Sequence, residues 1–231
     1  RPFVGSMRVV VQIPCHNEVD SLPGVLKSIP RNIPGATAVR ILVIDDGSTD
    51  QTAAIAEQCG ADCVLKLRER MGLAAAFRAG LAHCLRMGAD AIVQTDGDNQ
   101  YPGNLIPQLL APILEGRADI SLGVRPIDTI AHFSPIKRLL QRLGSFVVRV
   151  ASGSRVRDAA SGFRAFSRNA ALRLTVVSHF SYTLETILQA KAKGLSIAQV
   201  PIEVNPPTRP SRLAGSTVQY VWESAITICR M

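Results

Sequence analysis

The chain has 231 residues, of which 47% are hydrophobic and 19% are charged. A chain of this length buries about 70% of the surface that it exposes when unfolded, so one substantial core is expected and intrinsic disorder is excluded. Its charge-free stretches fall short of the ~20 apolar residues that cross a bilayer. Five cysteines with no CxxC pair disfavour a disulfide framework or a structural zinc site, and a reducing compartment fits them best.

The net charge is +8, from 26 Lys and Arg against 18 Asp and Glu. Between residues 117 and 173 there are eleven basic and three acidic residues, so this basic segment holds the whole excess. Concentrated positive charge is typical of proteins that bind phosphate groups, nucleic acid or an anionic membrane surface. No recognisable nucleic-acid-binding motif accompanies it, which disfavours nucleic acid as a partner.

Short runs rich in Val, Ile and Leu alternate with helical patterns in the first hundred residues. Strands buried on both faces are predicted over residues 8–14, 39–45, 62–65 and 90–95. Helices, in which Leu, Ala and Ile recur every three or four residues, are predicted over residues 18–29, 52–58 and 73–87. This alternation predicts an α/β fold with a mostly parallel, doubly wound sheet flanked by helices.

The second half of the chain has weaker patterns. They predict a helix over residues 182–193 and a strand over residues 197–204. A helix over residues 135–150 would carry Arg138, Arg142 and Arg149 beside an apolar stripe. Such a helix either lies in a membrane interface and presents its arginines to a lipid phosphate, or packs on the core with a solvated basic flank.

One domain is predicted over residues 7–212. We interpret the six residues before Met7 as a cloning remnant. Residues 213–231 are predicted to be a C-terminal helical segment that is cut short before a membrane-spanning region, because the pattern has no helix stop signal.

Acidic residues follow three of the predicted strands. Glu18 comes after the first strand, Asp45 and Asp46 after the second, and Asp96 and Asp98 after the fourth. In parallel α/β sheets, ligands bind beyond the carboxyl ends of the strands. These five carboxylates are therefore expected to converge at one edge of the sheet.

The sequence Asp96-Gly97-Asp98 is the most specific of these motifs. Two carboxylates of one turn can hold Mg²⁺ or Mn²⁺ and leave coordination positions for the oxygens of a diphosphate. The alternative is an ordinary Asp-Gly turn after a strand, in which Asp98 or Asn99 caps the next helix. The position after a buried strand, beside a second acidic motif, favours the metal site.

Asp45 and Asp46 begin the sequence DDGSTD. Gly47 allows a tight turn there, which leaves the two carboxylates to accept hydrogen bonds from a nucleotide base or ribose. The alternative is that both residues only terminate the strand. The chain has neither a GxGxxG dinucleotide motif nor a P-loop, so those nucleotide-binding modes are unsupported.

Four sequence blocks occur in a characteristic order. They are IPCHNE, VIDDGSTD, TDGDNQYP and DAASGFRAF, at residues 13–18, 43–50, 95–102 and 158–166. Together they resemble the family 2 glycosyltransferases of the GT-A fold, particularly the polyprenyl-phosphate sugar transferases of the dolichyl-phosphate mannosyltransferase type. The resemblance covers nearly all of the chain from Arg8 onward and implies the Rossmann-like GT-A fold.

The resemblance also implies roles for individual residues. It places the following residues at the nucleotide-sugar donor: Pro14, Asn17, Glu18, Asp45, Asp46, Asp96 and Gln100. Those at the metal ion are Asp96, Asp98 and Gln100. Catalytic roles fall on Asp98, Asp158 and Arg164, the last two at the sugar and acceptor. From the basic segment we predict acceptor contacts by Arg125, Lys137, Arg138 and Arg142.

The predicted activity is metal-dependent, inverting transfer of a sugar from a UDP- or GDP-linked donor to a polyprenyl phosphate at the inner, cytoplasmic face of a membrane. A phosphate acceptor is already ionised at neutral pH and needs no strong general base. The alternative acceptor is a hydroxyl of a saccharide, natural product or protein, which needs a carboxylate base such as Asp158 or Glu185.

Two other function classes fit the sequence less well. A sugar-1-phosphate nucleotidyltransferase usually has a glycine-rich basic loop after its first strand, and the sequence IPCHNE at that position is not one. A non-catalytic membrane-binding module would leave the five carboxylates unexplained.

Overall fold

The computed structural model describes residues 7–126, 149, 153, 155–177 and 182–206. Their strands are β1 (Met7–Cys15), β2 (Ala36–Asp45), β3 (Cys63–Lys66), β4 (Ala91–Gln94), β5 (Ile120–Val124), β6 (Arg164–Ser167) and β7 (Ile197–Pro201). Their helices are α1 (Leu22–Ser28), α2 (Thr52–Gln58), α3 (Leu73–Arg86), α4 (Ile106–Leu114), α5 (Arg168–Arg173) and α6 (Tyr182–Ala192), with a 3₁₀ turn (Gly103–Leu105) before α4. Within these ranges no helix is long and apolar enough to cross a bilayer.

The seven described strands form one sheet in the order β3-β2-β1-β4-β6-β5-β7. Strand β6 is antiparallel to both of its neighbours, and the other pairs are parallel. This confirms the predicted α/β fold with a mostly parallel sheet flanked by helices.

Both faces of the sheet are buried, which is why its strands lack strict polar alternation. In β1, Val9, Val11 and Ile13 pack into one core together with residues of α1 and α4. Val10, on the opposite face, packs into a second core with residues of α3, α5 and α6. The central strands are therefore covered by helices on both sides.

Several element boundaries differ from the prediction. Helix α1 begins at Leu22 rather than residue 18, because Asn17 has a left-handed backbone (φ 55°) and the backbone N–H of Glu18 donates to Thr52 Oγ1 (2.8 Å) instead of entering a helix. The elements α4, β5, β6 and α5 were not predicted from the sequence. Of the predicted helix at 135–150 only Arg149 is described, and the predicted segments 1–6 and 213–231 lie outside the described residues.

A buried amide pair fixes the pairing of β1 with β4. Gln12 and Gln94 are opposite each other in the two strands, and Gln12 Nε2 donates to Gln94 Oε1 at 2.7 Å. Gln94 Nε2 in turn donates to the carbonyl of Thr95 at 3.2 Å. The pair satisfies hydrogen-bonding groups that would otherwise be costly to bury in the core.

The direction of β6 matters for the site. Arg164, at its start, is opposite Gln94, at the end of β4. The residues that precede β6 therefore lie at the same edge of the sheet as the carboxyl ends of the parallel strands.

Helix α3 packs on the sheet through Gly80. A Cβ built on Gly80 would lie 2.5 Å from Gln12 Oε1 and 2.8 Å from Ile44 Cδ1, so Gly80→Ala should lower the free energy of unfolding by about 1–3 kcal/mol. The matched control is Gly24→Ala in α1, where the nearest atom would be 3.8 Å away and alanine should be neutral or slightly stabilising. Urea unfolding of both variants measures the difference, and equal stabilities would contradict this packing.

Candidate active site

The carboxyl ends of β1, β2 and β4 lie side by side. We call this edge, formed by residues 15–18, 45–47 and 95–98, the rim. The backbone N–H of Asp46 donates to the carbonyl of Cys15 (2.8 Å), and that of Thr95 donates to Gln12 (3.2 Å). The three polar segments after these strands are thus connected to neighbouring strand ends by backbone hydrogen bonds.

The buried thiol of Cys15 lies among the carboxylates of the rim. Burial raises its pKa well above the usual value, and the negative charges of Glu18, Asp45, Asp96 and Asp98 raise it further. Four of the five carboxylates expected to converge therefore lie close enough to act on one sulfur atom.

Asn17 joins the first two sequence blocks. Its backbone N–H donates to Ser48 Oγ (3.0 Å), and its side-chain Oδ1 accepts from the backbone N–H of Thr49 (2.8 Å). Pro14 is half-buried at the end of β1, and Glu18 is buried with its Oε2 accepting from Ser21 (2.9 Å). Three of the predicted donor contacts therefore border one another at the rim.

The two aspartates after β2 have different partners. Asp45 Oδ1 accepts from the backbone N–H of Ser48 (3.0 Å) within its own turn. Both carboxylate oxygens of Asp46 accept backbone N–H groups from the segment before α3, Oδ1 from Met71 (2.7 Å) and Oδ2 from Gly72 (2.9 Å). This role of Asp46 could not be predicted from the sequence, because no periodic pattern links residues 25 positions apart.

The turn Asp96-Gly97-Asp98 packs against the end of β1. A Cβ on Gly97 would lie 2.7 Å from Cys15 Sγ, so only glycine allows this approach. Asp98 Oδ1 accepts from the backbone N–H of Gln100 (3.1 Å), as in the ordinary Asp-Gly turn weighed above. The backbone N–H of Asn205 donates to the carbonyl of Gln100 (2.9 Å), so the segment that follows β7 also supports the turn.

The donor atoms at this turn suit a hard divalent cation. Asp96, Asp98 and Gln100 are all partly exposed and offer oxygen ligands. No group of three or more His, Cys, Asp or Glu among the described residues is arranged to hold a metal ion. The protein thus offers two carboxylates and one amide, which fits Mg²⁺ or Mn²⁺ bound jointly with the oxygens of a diphosphate.

The segment before β6 meets Asp96 at Gly162. A Cβ on Gly162 would lie 3.0 Å from Asp96 Oδ2 and 3.2 Å from Tyr182 Oη. Tyr182 Oη donates to the carbonyl of Gly162 (2.9 Å), and the backbone N–H of Gly162 donates to Tyr101 Oη (3.2 Å). Two buried tyrosines therefore hold this backbone against the turn Asp96-Gly97-Asp98.

Asp158 and Arg125 form a buried ion pair. Arg125 Nε lies 2.7 Å from Asp158 Oδ2, and Nη2 lies 2.9 Å from Oδ1. Burial raises the pKa of Tyr101 to about 12, with Arg125 opposing the shift and Asp96 and Asp158 adding to it. The structure thus brings the pair close to the Asp96 motif.

Arg164 is almost fully buried, and its guanidinium bonds to the protein itself. It donates to the carbonyls of Ser161 (2.9 Å), Ala159 (2.8 Å) and Thr183 (2.7 Å) and to Thr186 Oγ1 (2.5 Å). These bonds join the segment before β6 to α6. Contact of Arg164 with a substrate stays a prediction.

Two further predictions concern the acceptor side. Glu185 is fully buried, and its Oε1 accepts from the backbone N–H of Val177 (2.9 Å) and from Gln189 Nε2 (3.1 Å). The predicted acceptor contacts Lys137, Arg138 and Arg142 lie outside the described residues.

Comparisons with known proteins agree with this arrangement. Glycosyl transferase family 2 matches residues 10–174. Polyprenol monophosphomannose synthase of Mycolicibacterium smegmatis is 29% identical over 93% of this chain and 84% of its own length. Undecaprenyl-phosphate mannosyltransferase of Micrococcus luteus is 27% identical over 97% of this chain and 93% of its own length.

A solved structure has the same fold. Glucosyl-3-phosphoglycerate synthase from Mycobacterium tuberculosis, crystallised with Mn²⁺, UDP and glucosyl-3-phosphoglycerate, superposes with a TM-score of 0.74. The sequences are 23% identical, and the match covers 97% of this chain and 81% of the other. The likeness establishes the fold.

The hydrogen bonds of Arg164 predict that replacing this residue lowers the stability of the protein strongly. Arg164→Met fills similar space but leaves the carbonyls of Ser161, Ala159 and Thr183 without their buried donor, so the free energy of unfolding should fall by about 2 kcal/mol or more. The control Arg40→Met replaces an exposed side chain of β2 and should change stability by less than about 0.5 kcal/mol. Urea titration followed by circular dichroism distinguishes the two variants. An Arg164→Met protein as stable as the parent would contradict the role of Arg164 in joining the segment before β6 to α6.

Proposed function

The chain belongs to glycosyl transferase family 2, and from this premise we propose that it transfers a sugar from a nucleoside diphosphate to a polyprenyl phosphate. The family, the GT-A-type fold and the glycosyltransferase class that the sequence predicts are confirmed. The acceptor is the proposed part. Two relatives are named for polyprenol phosphate or undecaprenyl phosphate, which supports it.

The burial and hydrogen bonding of the candidate bases favour a phosphate acceptor over a hydroxyl acceptor. A hydroxyl acceptor needs a carboxylate that can reach it and take its proton. Asp158 and Glu185, the two candidates, are both fully buried. Asp158 is bound by Arg125, and Glu185 accepts two bonds from its own surroundings. A phosphate acceptor avoids this requirement, because its oxygen is already ionised.

The proposed reaction is a single displacement. An oxygen of the acceptor phosphate attacks C1 of the sugar, and the bond between C1 and the diphosphate oxygen breaks. The nucleoside diphosphate leaves with the electron pair, and the sugar is joined to the lipid through a phosphodiester. The family resemblance implies inversion at C1, and no proton has to be removed from the acceptor.

On the donor side, we assign the nucleotide to Pro14, Asn17, Glu18 and Asp45. Asp96, Asp98 and Gln100 would hold the divalent cation. A bound Mg²⁺ or Mn²⁺ supplies neutralisation of the charge that develops on the leaving diphosphate. Either UDP or GDP is compatible with this assignment.

On the acceptor side, we assign phosphate contacts to Arg125 and, from the basic segment, to Lys137, Arg138 and Arg142. Asp158 then acts as a positioning residue that orients Arg125, and Arg164 as one that holds the segment before β6. Because the acceptor is a lipid, we place the reaction at the cytoplasmic face of a membrane, where basic residues gain about 1 kcal/mol each from anionic headgroups.

The acceptor is tested with labelled UDP- and GDP-linked hexoses in the presence of Mn²⁺. Transfer to undecaprenyl phosphate is expected, with none to undecaprenol, which has the same chain but a hydroxyl in place of the phosphate. 3-Phosphoglycerate serves as a soluble comparison. Preferential transfer to undecaprenol or to 3-phosphoglycerate would overturn the proposed acceptor while leaving the glycosyltransferase class intact.

The metal assignment is tested by Asp98→Asn. This change keeps the side-chain shape and removes one charge, so kcat should fall about 100-fold or more. The control Asp20→Asn, at an exposed aspartate outside the rim, should retain parental activity. Chelation by EDTA should abolish transfer and added Mn²⁺ should restore it. Chelator-resistant transfer would remove the metal from the proposal.

A further inference from the structure

The segment of residues 67–72, between β3 and α3, is attached to the rim at several points; we call it the arginine loop. At its start, the backbone N–H of Leu67 donates to the carbonyl of Asp45 (2.9 Å). At its end, the backbone N–H groups of Met71 and Gly72 donate to the carboxylate of Asp46. Both ends are thus held by consecutive residues of β2 and the turn that follows it.

Between these bonds, the loop backbone packs against Gly47. A Cβ on Gly47 would lie 2.5 Å from both the backbone nitrogen of Arg70 and the carbonyl carbon of Glu69. Gly47 also has a left-handed φ of +63°. The glycine of the DDGS sequence therefore serves two purposes, the turn itself and the close approach of the arginine loop.

Asp46 is almost fully buried, with 5% of its surface exposed. Its negative charge lies at the start of α3, a helix of 14 residues, where the helix dipole stabilises an anion. The carboxylate is therefore already well satisfied by groups of the protein. This arrangement is unlike that of a side chain held ready for a base or a ribose.

The loop carries two exposed cations, Arg68 and Arg70. Neither forms an ion pair with another described residue. Both belong to a loop whose backbone packs against Gly47 of the rim. The expected position of the donor diphosphate, at Asp96 and Asp98, belongs to the same rim. Exposed guanidinium groups beside such a position raise the local concentration of an anionic ligand and can bind its oxygens.

We propose that Asp46 is a positioning residue that pins the arginine loop, so that Arg68 and Arg70 bind the diphosphate of the nucleotide. Asp46 then contributes to donor affinity through the loop rather than by touching the nucleotide. This inference rests on the proposed donor class but not on the proposed acceptor.

The pinning is tested by trypsin, which cleaves after arginine. Asp46→Asn keeps the shape but replaces one acceptor oxygen by a donor, so cleavage after Arg68 and Arg70 should accelerate at least fivefold. The matched control is Asp45→Asn, which leaves the backbone bond from Leu67 in place and should be cleaved at the parental rate. Asp46→Glu, which displaces the carboxylate by one methylene, should be intermediate. Parental cleavage rates in both Asp46 variants would overturn the pinning.

The indirect role is tested by a double-mutant cycle, with calorimetry of UDP, GDP and the corresponding nucleosides. Asp46→Asn should weaken the binding of the preferred diphosphate about tenfold in the parent. In the Arg68→Gln/Arg70→Gln background, the same change should have almost no further effect, and nucleoside binding should be unchanged throughout. Additive losses, or equal losses for the nucleoside, would show that Asp46 contacts the nucleotide directly and would overturn the inference.

The two proposals fail in different ways. A protein that binds UDP or GDP as described but transfers no sugar to a lipid phosphate retains this inference and loses the proposed acceptor. A protein that binds neither diphosphate loses both the donor class and the role of the arginines.

Discussion

The two parts of the site depend on the approach of Asp96 to the backbone of Gly162. The first part comes from the parallel strands β1, β2 and β4, and the second from the segment between β5 and β6. Tyr101 and Tyr182 hydrogen-bond to Gly162, and each ring is stacked on a phenylalanine, Tyr101 on Phe163 and Tyr182 on Phe77. The aromatic packing makes this approach rigid, and the absence of a side chain at residue 162 makes it possible.

Charge is the second constraint on the rim. Carboxylates gathered around one buried thiol repel one another more strongly than in water, because the surroundings have a low dielectric constant. The protein offsets this repulsion with local donors: Ser48 for Asp45, the arginine loop for Asp46 and Ser21 for Glu18. Asp96 and Asp98 remain more exposed than these three, and they are the pair to which we assign the cation.

Strands β1, β2 and β4 and the rim could be predicted from the sequence, because their apolar runs are followed by acidic residues, and β3 could be predicted from its short apolar run. Strand β6 could not, since its four residues begin with an arginine, a type that is rarely buried. Net charge was also a poor guide, because a count of charges cannot tell that Arg164 is buried and bonded within the protein. The pinning role of Asp46 likewise depends on a tertiary contact that leaves no local pattern.

The buried pair of Gln12 and Gln94 has a consequence for the geometry of the rim. If β4 moved by one residue along β1, every side chain of β4 would change faces, and the buried hydrogen bond between the two amides would be lost. The pair therefore fixes the register of β4 on β1 and, with it, the positions at which the two strands end at the rim. Glu18 and Asp96 follow these glutamines at fixed distances along the chain. The positions of the two carboxylates relative to each other therefore depend on a buried hydrogen bond, on which solvent and loop motion have little influence.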